Sequence, residues 1–240
     1  MNNKKFTLFF DLHGVIVNSE VMIANYKSIL VEIYKKYDIS EDQSIKYHNS
    51  GLKLYLNLIS KIKELNLIKE DFILAMSNAD LEWDNLMQNF VINSRALELE
   101  SRNIEYLAGQ VKNALYRDAE EVLKYLTGYF IASNSHSTHI KGLLEGAEIS
   151  SLSDYFILGW DKMKSFKNTD YYFEKLKNYS ITNENIMIGN SDEELYYAQR
   201  NGFKTILIKR EYKVDERFII EPDLILNNLK NIISEINFIF

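Results

Sequence analysis

Short apolar runs alternate with stretches of helical periodicity over much of the chain. The first run, Phe6 to Phe10, ends at Asp11, and similar runs recur at 129–132, 185–188 and 204–208. Helical patterns accompany these runs at about 136–146, 168–178 and 191–201. Strands that alternate with helices of this length are typical of βαβ units. The pattern therefore predicts an α/β core, a Rossmann-like arrangement of three layers with a mostly parallel sheet.

The pattern changes between Ser19 and about Leu115, where apolar residues recur at helical spacing and no strand pattern appears. We therefore predict an all-helical insertion at 19–115 and a core formed by 1–18 and 116–240. A late apolar run, Leu224 to Leu226, predicts a last strand before a final helix. The apolar positions that carry the helical pattern are Ile23, Tyr26, Ile29, Leu30, Ile33 and Tyr34, followed by Leu54, Leu58, Ile62 and Leu65.

Composition narrows the classes of function. The chain of 240 residues has a formal net charge of -6, whereas a nucleic-acid surface normally needs a clustered excess of Lys and Arg. It has no cysteine, which excludes disulfides, thiolate nucleophiles and sulfur metal sites. The first apolar run is too short for a signal peptide, and no run reaches the roughly 18 apolar residues of a membrane span. We expect a cytoplasmic protein that binds neither nucleic acid nor membrane; oligomeric state is not indicated.

Polar residues follow three of the predicted strands, at the sheet edge where ligands bind in open α/β folds. These groups are 11–18, 133–135 and 189–194. They bring a carboxylate, a small hydroxyl-bearing turn and an acidic cluster to one rim. Mg²⁺ prefers one or two carboxylates together with phosphate oxygens and water, and helix N-termini add anion-binding amides. The rim is therefore suited to a divalent cation with a phosphate.

Four sequence motifs, in order between residues 6 and 208, resemble those of the haloacid dehalogenase (HAD) superfamily. Residues 9–20 resemble the first motif, a hydrophobic strand that ends at Asp11. Residues 131–135 resemble the second, in which Ser133 closes a strand, and 167–173 resemble the third, without its customary prolines. Residues 188–194 are similar to the fourth motif. The helical insertion resembles a C1-type cap, as in the phosphatase and phosphonatase branch.

The resemblance implies phosphoryl transfer through an aspartyl-phosphate on Asp11, the nucleophile. It implies a Mg²⁺ ion and a small phosphorylated metabolite as substrate, over which the cap would close. The implied metal ligands are Asp11, the backbone carbonyl of His13, Asn190 and Glu194. The implied phosphate-binding residues are Ser133, Asn134 and Lys167, with Lys164 as a rival in the same stretch.

Three positions depart from the family pattern. His13 replaces the second Asp, the general acid/base, and an imidazole can perform acid/base chemistry near neutral pH. Asn190 replaces the first acidic residue of the last motif, which should weaken Mg²⁺ binding, although Asp192 could reach the metal through water. Asn18 replaces a further Asp, for which we expect a structural role.

Two alternatives to the phosphohydrolase remain open. The first is a C–P bond hydrolase similar to phosphonoacetaldehyde hydrolase, in which Lys53 would form a Schiff base after a Gly-containing loop at 48–53. The second is a catalytically degenerate protein that binds a phosphorylated ligand or a protein partner. We expect the other histidines, His48, His136 and His139, to be surface or loop residues.

Overall fold

A computed structural model describes residues 6–36, 38–88, 106, 114–149 and 156–239. Its sheet is entirely parallel, with the strand order β3-β2-β1-β4-β5-β6. The predicted α/β core is confirmed, and the sheet is fully parallel where the sequence suggested mostly parallel. The strands are β1 (Thr7–Phe10), β2 (Tyr129–Ala132), β3 (Ile157–Leu158), β4 (Asn185–Gly189), β5 (Lys204–Ile208) and β6 (Leu224–Leu226). The sequence pattern missed β3, because two residues are too few to form a recognisable run.

Helices connect these strands and cover both faces of the sheet. Along β1, Leu8 and Phe10 belong to one buried apolar cluster, whereas Phe9 belongs to a second. Since successive side chains of a strand point to opposite faces, the two clusters lie on the two sides of the sheet. Described helices of the core are α4 (Arg117–Tyr125), α5 (Ser137–Gly146), α6 (Trp160–Met163), α7 (Asp170–Lys177), α8 (Asp192–Arg200) and α9 (Ile232–Ile239).

Among the described residues, three helices lie between β1 and α4 in the chain, and we call them the helical insertion: α1 (Ser19–Lys35), α2 (Glu41–Glu64) and α3 (Lys69–Gln88). The side chain of Asn18 caps α1 by accepting from the amides of Glu20 and Val21, which is a structural role. Of the predicted apolar positions, Ile33 and Ile62 are buried, but Ile23 and Leu65 are 57% and 65% exposed.

The loop predicted at 48–53 is wrong, because α2 runs without interruption from Glu41 to Glu64. A capping box formed by Ser40 and Gln43 fixes the start of this helix well before Gly51. A glycine inside a helix costs only about 0.5–1 kcal/mol relative to Ala, so 24 residues of helix tolerate it. The glycine therefore marks no turn.

Among the described residues, the helical insertion is attached to the core at its connecting segments and through a buried apolar cluster at its far end. The two connecting segments pair as a short antiparallel bridge between Val17 and Leu115. At the far end, Ile62, Phe72 and Met76 pack against Phe166 in one buried cluster. Phe166 directly precedes Lys167, so this packing supports the loop that carries the lysine. No helix formed by the described residues is long and apolar enough to cross a membrane.

Candidate active site

Three adjacent strands deliver the predicted site residues to one edge of the sheet. Asp11 follows β1, Ser133 follows β2 and Asn190 follows β4, and β1 pairs with both of the other strands. Their ends border a cleft of about 890 Å³. Lys53 does not line this cleft and is an exposed residue of α2. The sequence-predicted residues that do line the cleft are Asp11, His13, Ser133, Asn134, Lys167, Asn190 and Glu194.

Lys167 lies at the centre of a buried ion triad. Its Nζ donates to Oδ1 of Asp11 and, over 2.6 Å, to Oε2 of Glu194. All three side chains are nearly inaccessible to solvent. Burial opposes the charge of the lysine, but the two carboxylates outweigh it and raise the pKa of Lys167. The rival, Lys164, is exposed and ends α6 in a left-handed conformation, outside the cleft.

Glu194 organises the turn that follows β4. Its Oε1 accepts the amide N–H groups of Asn190 (2.7 Å) and Ser191 (3.3 Å), while its Oε2 accepts from Lys167. Burial raises the pKa of the Glu194 carboxyl, and the negative charge of Asp11 adds to this effect. Both of its oxygens are therefore engaged, so Glu194 holds Lys167 and the turn in place, and the metal role implied for it stays a prediction. A β-carbon at Gly189 would lie 2.1 Å from Oε1, which explains why a glycine precedes Asn190.

Asp192 does not line the cleft, and both oxygens of its carboxylate are bound by other residues. Its Oδ1 accepts from the hydroxyl of Tyr212 over 2.5 Å, and its Oδ2 accepts from the amide of Asp215 over 2.8 Å. The carboxylate thus anchors the loop after β5. Two of the three acidic residues at 192–194 thus have structural contacts: Asp192 anchors this loop, and Glu194 takes part in the capping box that begins α8.

The amide of Asn190 has a fixed orientation. Its Nδ2 donates to the backbone carbonyl of Glu211 over 2.9 Å, which leaves Oδ1 as the acceptor atom of the side chain. Gly14 lies against the same group, since a β-carbon there would be 1.9 Å from Nδ2 and the residue has a positive φ of 76°. Only glycine suits both the space and the backbone conformation at this position.

Residues of the second motif, 131–135, position Lys167 and line the cleft. Ser133 is buried, and its Oγ accepts from the amide of Ser135 over 3.1 Å. Oδ1 of Asn134 accepts from the backbone amide of Lys167 over 2.8 Å. Asn134 therefore positions Lys167 across the cleft, in addition to lining the space predicted for a phosphate.

His13 lies beside the nucleophile candidate with its Nε2 2.9 Å from Oγ of Ser135. Its ring stacks on His139, with 6.0 Å between ring centroids. Desolvation is the main cause that lowers the pKa of His13 to about 3, and the neighbouring His139, Lys167 and Lys213 add to it, so the His13 ring is neutral near neutral pH. The expectation that His139 is a surface or loop residue is wrong, because it is buried on the inner face of α5. Its position in the helical pattern, next to Ile140 and four residues before Leu143, could have indicated that it is buried.

The outer part of the cleft contains charged residues that the sequence did not identify. Lys63 of α2 pairs with Glu193 at 2.7 Å, which joins the helical insertion to α8. Arg217 pairs with Asp215 at 2.5 Å. Lys213 is exposed, and its backbone amide donates to the carbonyl of Asn190 over 2.8 Å. No local sequence pattern marks Lys63, Lys213 or Arg217, because they come from the insertion and from a loop.

Three oxygen donors from residues that line the cleft fit a Mg²⁺ site with few protein ligands. They are the Asp11 carboxylate, the backbone carbonyl of His13 and Oδ1 of Asn190, which gives a single carboxylate. Among the described residues, no three acidic or histidine side chains form a metal cluster. Mg²⁺ is commonly held by one or two carboxylates, water and substrate phosphate, so this donor set fits an ion whose shell the substrate completes.

Comparisons with known proteins identify similar solved structures. No family model matches the chain, and no curated protein matches it. One similar structure is that of YfnB from Bacillus subtilis, described as a HAD-hydrolase bound to magnesium. It has a TM-score of 0.62 and 16% sequence identity, and the match covers 98% of this chain and 100% of YfnB. A defluorinating L-2-haloacid dehalogenase has a TM-score of 0.65 at 14% identity, covering 97% and 95%. A HAD phosphatase from Thermococcus onnurineus has a TM-score of 0.50 at 16% identity, covering 96% and 97%.

Proposed function

Starting from the HAD-like fold of the chain, we propose that the protein is a Mg²⁺-dependent phosphohydrolase that acts on a small phosphorylated metabolite. The observation that carries this proposal is the buried triad of Asp11, Lys167 and Glu194 at the carboxyl ends of the strands. It combines a carboxylate nucleophile with a fixed cation that would offset charge on a transferring group. Ser133 borders the same space.

The charge of the cleft supports the requirement for a divalent cation. Five carboxylates but only four cationic side chains line it among the described residues. A phosphate group carries up to two negative charges, so its entry into this cleft would be unfavourable without an additional positive ion. Mg²⁺ would reverse the sign of the local charge. We assign its ligands as Asp11, the His13 carbonyl and Asn190.

The residues would divide the reaction as follows. An oxygen of the Asp11 carboxylate attacks phosphorus, the bond from phosphorus to the leaving oxygen breaks, and an aspartyl-phosphate forms while the leaving alkoxide takes a proton from water. Lys167 offsets the charge of the phosphoryl oxygens, while Ser133 hydrogen-bonds to them. His13, as a neutral imidazole, accepts the proton of the water that then cleaves the aspartyl-phosphate. Bound Mg²⁺ would supply charge neutralisation to the phosphoryl group. The helical insertion would act as the cap that excludes bulk water.

The test is phosphate release from a panel of phosphorylated metabolites and an aryl phosphate, with Mg²⁺ or with EDTA. We expect Mg²⁺-dependent turnover that Asp11→Asn abolishes, because the amide is not a nucleophile. Asp71→Asn is the matched control, since Asp71 is exposed on α3 and outside the cleft. If no compound is turned over and Asp11→Asn behaves as the wild type in Mg²⁺ binding, the enzyme is refuted in favour of a binding protein on this fold.

A second candidate is hydrolytic dehalogenation. It is favoured by the direct pairing of Asp11 with Lys167 and by the loss of two family carboxylates at His13 and Asn190, which leaves a minimal metal site. The Asp11 carboxylate would displace halide from carbon, and water would then hydrolyse the resulting ester. If the protein releases halide from 2-haloacids and EDTA does not inhibit this release, the result would support dehalogenation over the phosphohydrolase. The C–P hydrolase is not proposed, because Lys53 lies outside the cleft.

A further inference from the structure

Glu211, in the loop after β5, has an unusual backbone conformation. Its φ of 48° lies in the left-handed region, which residues other than glycine adopt at a cost. A strained residue of this kind persists only where its surroundings hold it in place. The contacts of Glu211 identify what holds it, and they reach both the helical insertion and the candidate metal site.

The side chain of Glu211 contacts both segments that connect the helical insertion to the core. Its Oε1 accepts from the amide of Ser19 over 3.0 Å and from the hydroxyl of Tyr116. Ser19 is the first residue of α1, and Tyr116 is the N-cap of α4. Oε1 of Glu211 therefore binds the segment that leads into the insertion and the segment that leads back to the core.

The two connecting segments also pair with each other. The amide of Asn18 donates to the carbonyl of Ala114 over 2.8 Å, and the amide of Tyr116 donates to the carbonyl of Ile16 over 2.9 Å. We call residues 16–19 and 114–116 the junction. Any rotation of the insertion relative to the core must pass through the junction, and Glu211 is attached to both of its segments.

The backbone of Glu211 contacts the candidate metal ligand. Its carbonyl accepts from Nδ2 of Asn190 over 2.9 Å and so determines which end of that amide is free to bind a cation. Gly14 lies against both residues: a β-carbon there would be 1.9 Å from Nδ2 of Asn190 and 3.0 Å from the Glu211 β-carbon. If the carboxylate of Glu211 loses its partners, the backbone is free to leave the left-handed region and take the carbonyl away from Asn190.

We propose that Glu211 is a positioning residue that couples the junction of the helical insertion to the orientation of the Asn190 amide. The role of Asn190 toward Mg²⁺ rests on the proposed function, whereas the coupling itself rests on the contacts of Glu211. Coupling between two sites is reciprocal. A change at the junction should therefore alter cation binding, and a change at Asn190 should alter the junction.

The first experiment measures the Mg²⁺ concentration that gives half of the maximal thermal stabilisation. Residues that orient metal ligands typically contribute about 10-fold or more to metal affinity, so Glu211→Ala should raise this concentration about 10-fold. In an Asn190→Ala background the same substitution should have no further effect, because the ligand through which it acts is gone.

Glu211→Gln keeps an acceptor oxygen and should restore part of the affinity. Glu216→Ala, an exposed glutamate of the same loop, is the control. Equal effects of Glu211→Ala in both backgrounds would overturn the coupling.

The second experiment does not depend on the metal. Amide hydrogen exchange at the junction should be faster in Asn190→Ala than in the wild type, because the carbonyl of Glu211 loses its donor. Tyr116→Phe, which removes one hydroxyl and is expected to fold, should accelerate exchange at Ser19. Unchanged exchange at the junction in Asn190→Ala would refute the coupling. If the wild type shows no Mg²⁺-induced stabilisation, the proposed metal site fails, and hydrogen exchange alone then decides whether Glu211 links the two regions.

Discussion

Replacing Lys167 by Met should destabilise the protein strongly, since it leaves two buried carboxylates without their cation. Asp11 and Glu194 are 8% and 3% exposed, so neither can recover its hydration in the folded state. Removal of one partner from a buried ion pair costs about 3–5 kcal/mol. For a protein of this size, each kcal/mol corresponds to about 2–4 °C in Tm, which predicts a decrease of roughly 6–20 °C.

The loss should depend on pH with a defined sign. Burial and the charge of Asp11 already raise the pKa of Glu194, and without Lys167 only the hydrogen bond from the backbone amide of Asn190 opposes that effect. A carboxyl group whose pKa is raised on folding keeps its proton in the folded state above the unfolded pKa of about 4.3, so the variant loses about 1.4 kcal/mol per pH unit as the pH rises beyond that value. In the wild type Lys167 stays charged throughout this range, because its own pKa is raised. The penalty of Lys167→Met should therefore be smaller in weak acid than at neutral pH.

Urea unfolding of the wild type, Lys167→Met and Lys164→Met at about pH 5 and about pH 7.5 measures both effects. Lys164 is a matched control, because it lies three residues away and its side chain is exposed. A penalty for Lys167→Met below about 1 kcal/mol, or the same penalty at both pH values, would refute the buried triad, since surface ion pairs contribute only about 0–1 kcal/mol.

Two further substitutions test how the site and its support are built. Gly189→Ala should destabilise the protein by about 1–3 kcal/mol and remove phosphate release, because its β-carbon would displace Glu194. The control is Gly202→Ala, which has open space but a φ of 78°, so it should lose stability through backbone strain and still retain activity. Full activity of Gly189→Ala would contradict this account. Asp118→Asn should cost about 1.5–3 kcal/mol in urea unfolding at neutral pH, because it breaks a bidentate pair with Arg210 (2.7 and 2.6 Å). Burial opposes the charge of Asp118, but the hydrogen bonds from Arg210 and the Leu229 amide hold its pKa below the usual range, so the wild-type advantage should shrink as the pH falls below about 3.9. An advantage that stays constant in acid would contradict that assignment.

The sequence alone determined the parts of this protein that depend on local pattern. Apolar runs located β1, β2, β4 and β5, because a buried parallel strand needs an uninterrupted apolar segment. The run at 224–226 also located β6, although this strand at the edge of the sheet is only partly buried. The same reasoning placed Asp11, Ser133 and Asn190 at strand ends, and all three line the cleft. The four motifs predicted a HAD-like fold, which the structural comparisons confirm. Departures at His13 and Asn190 were also visible from the sequence, because they are substitutions at motif positions.

Only the tertiary structure decided how these residues act on one another. Glu194 matched a metal position in the sequence, yet its oxygens are engaged by Lys167 and by two backbone amides. Glu211 belongs to none of the four motifs. The positioning role proposed for it depends on contacts with Ser19, Tyr116 and Asn190, which are distant in the chain. The physical reason is that periodicity and capping are fixed by neighbours along the chain. Ion pairing and hydrogen bonding between loops depend on how the helical insertion and the strand ends pack together, and no local pattern records that packing.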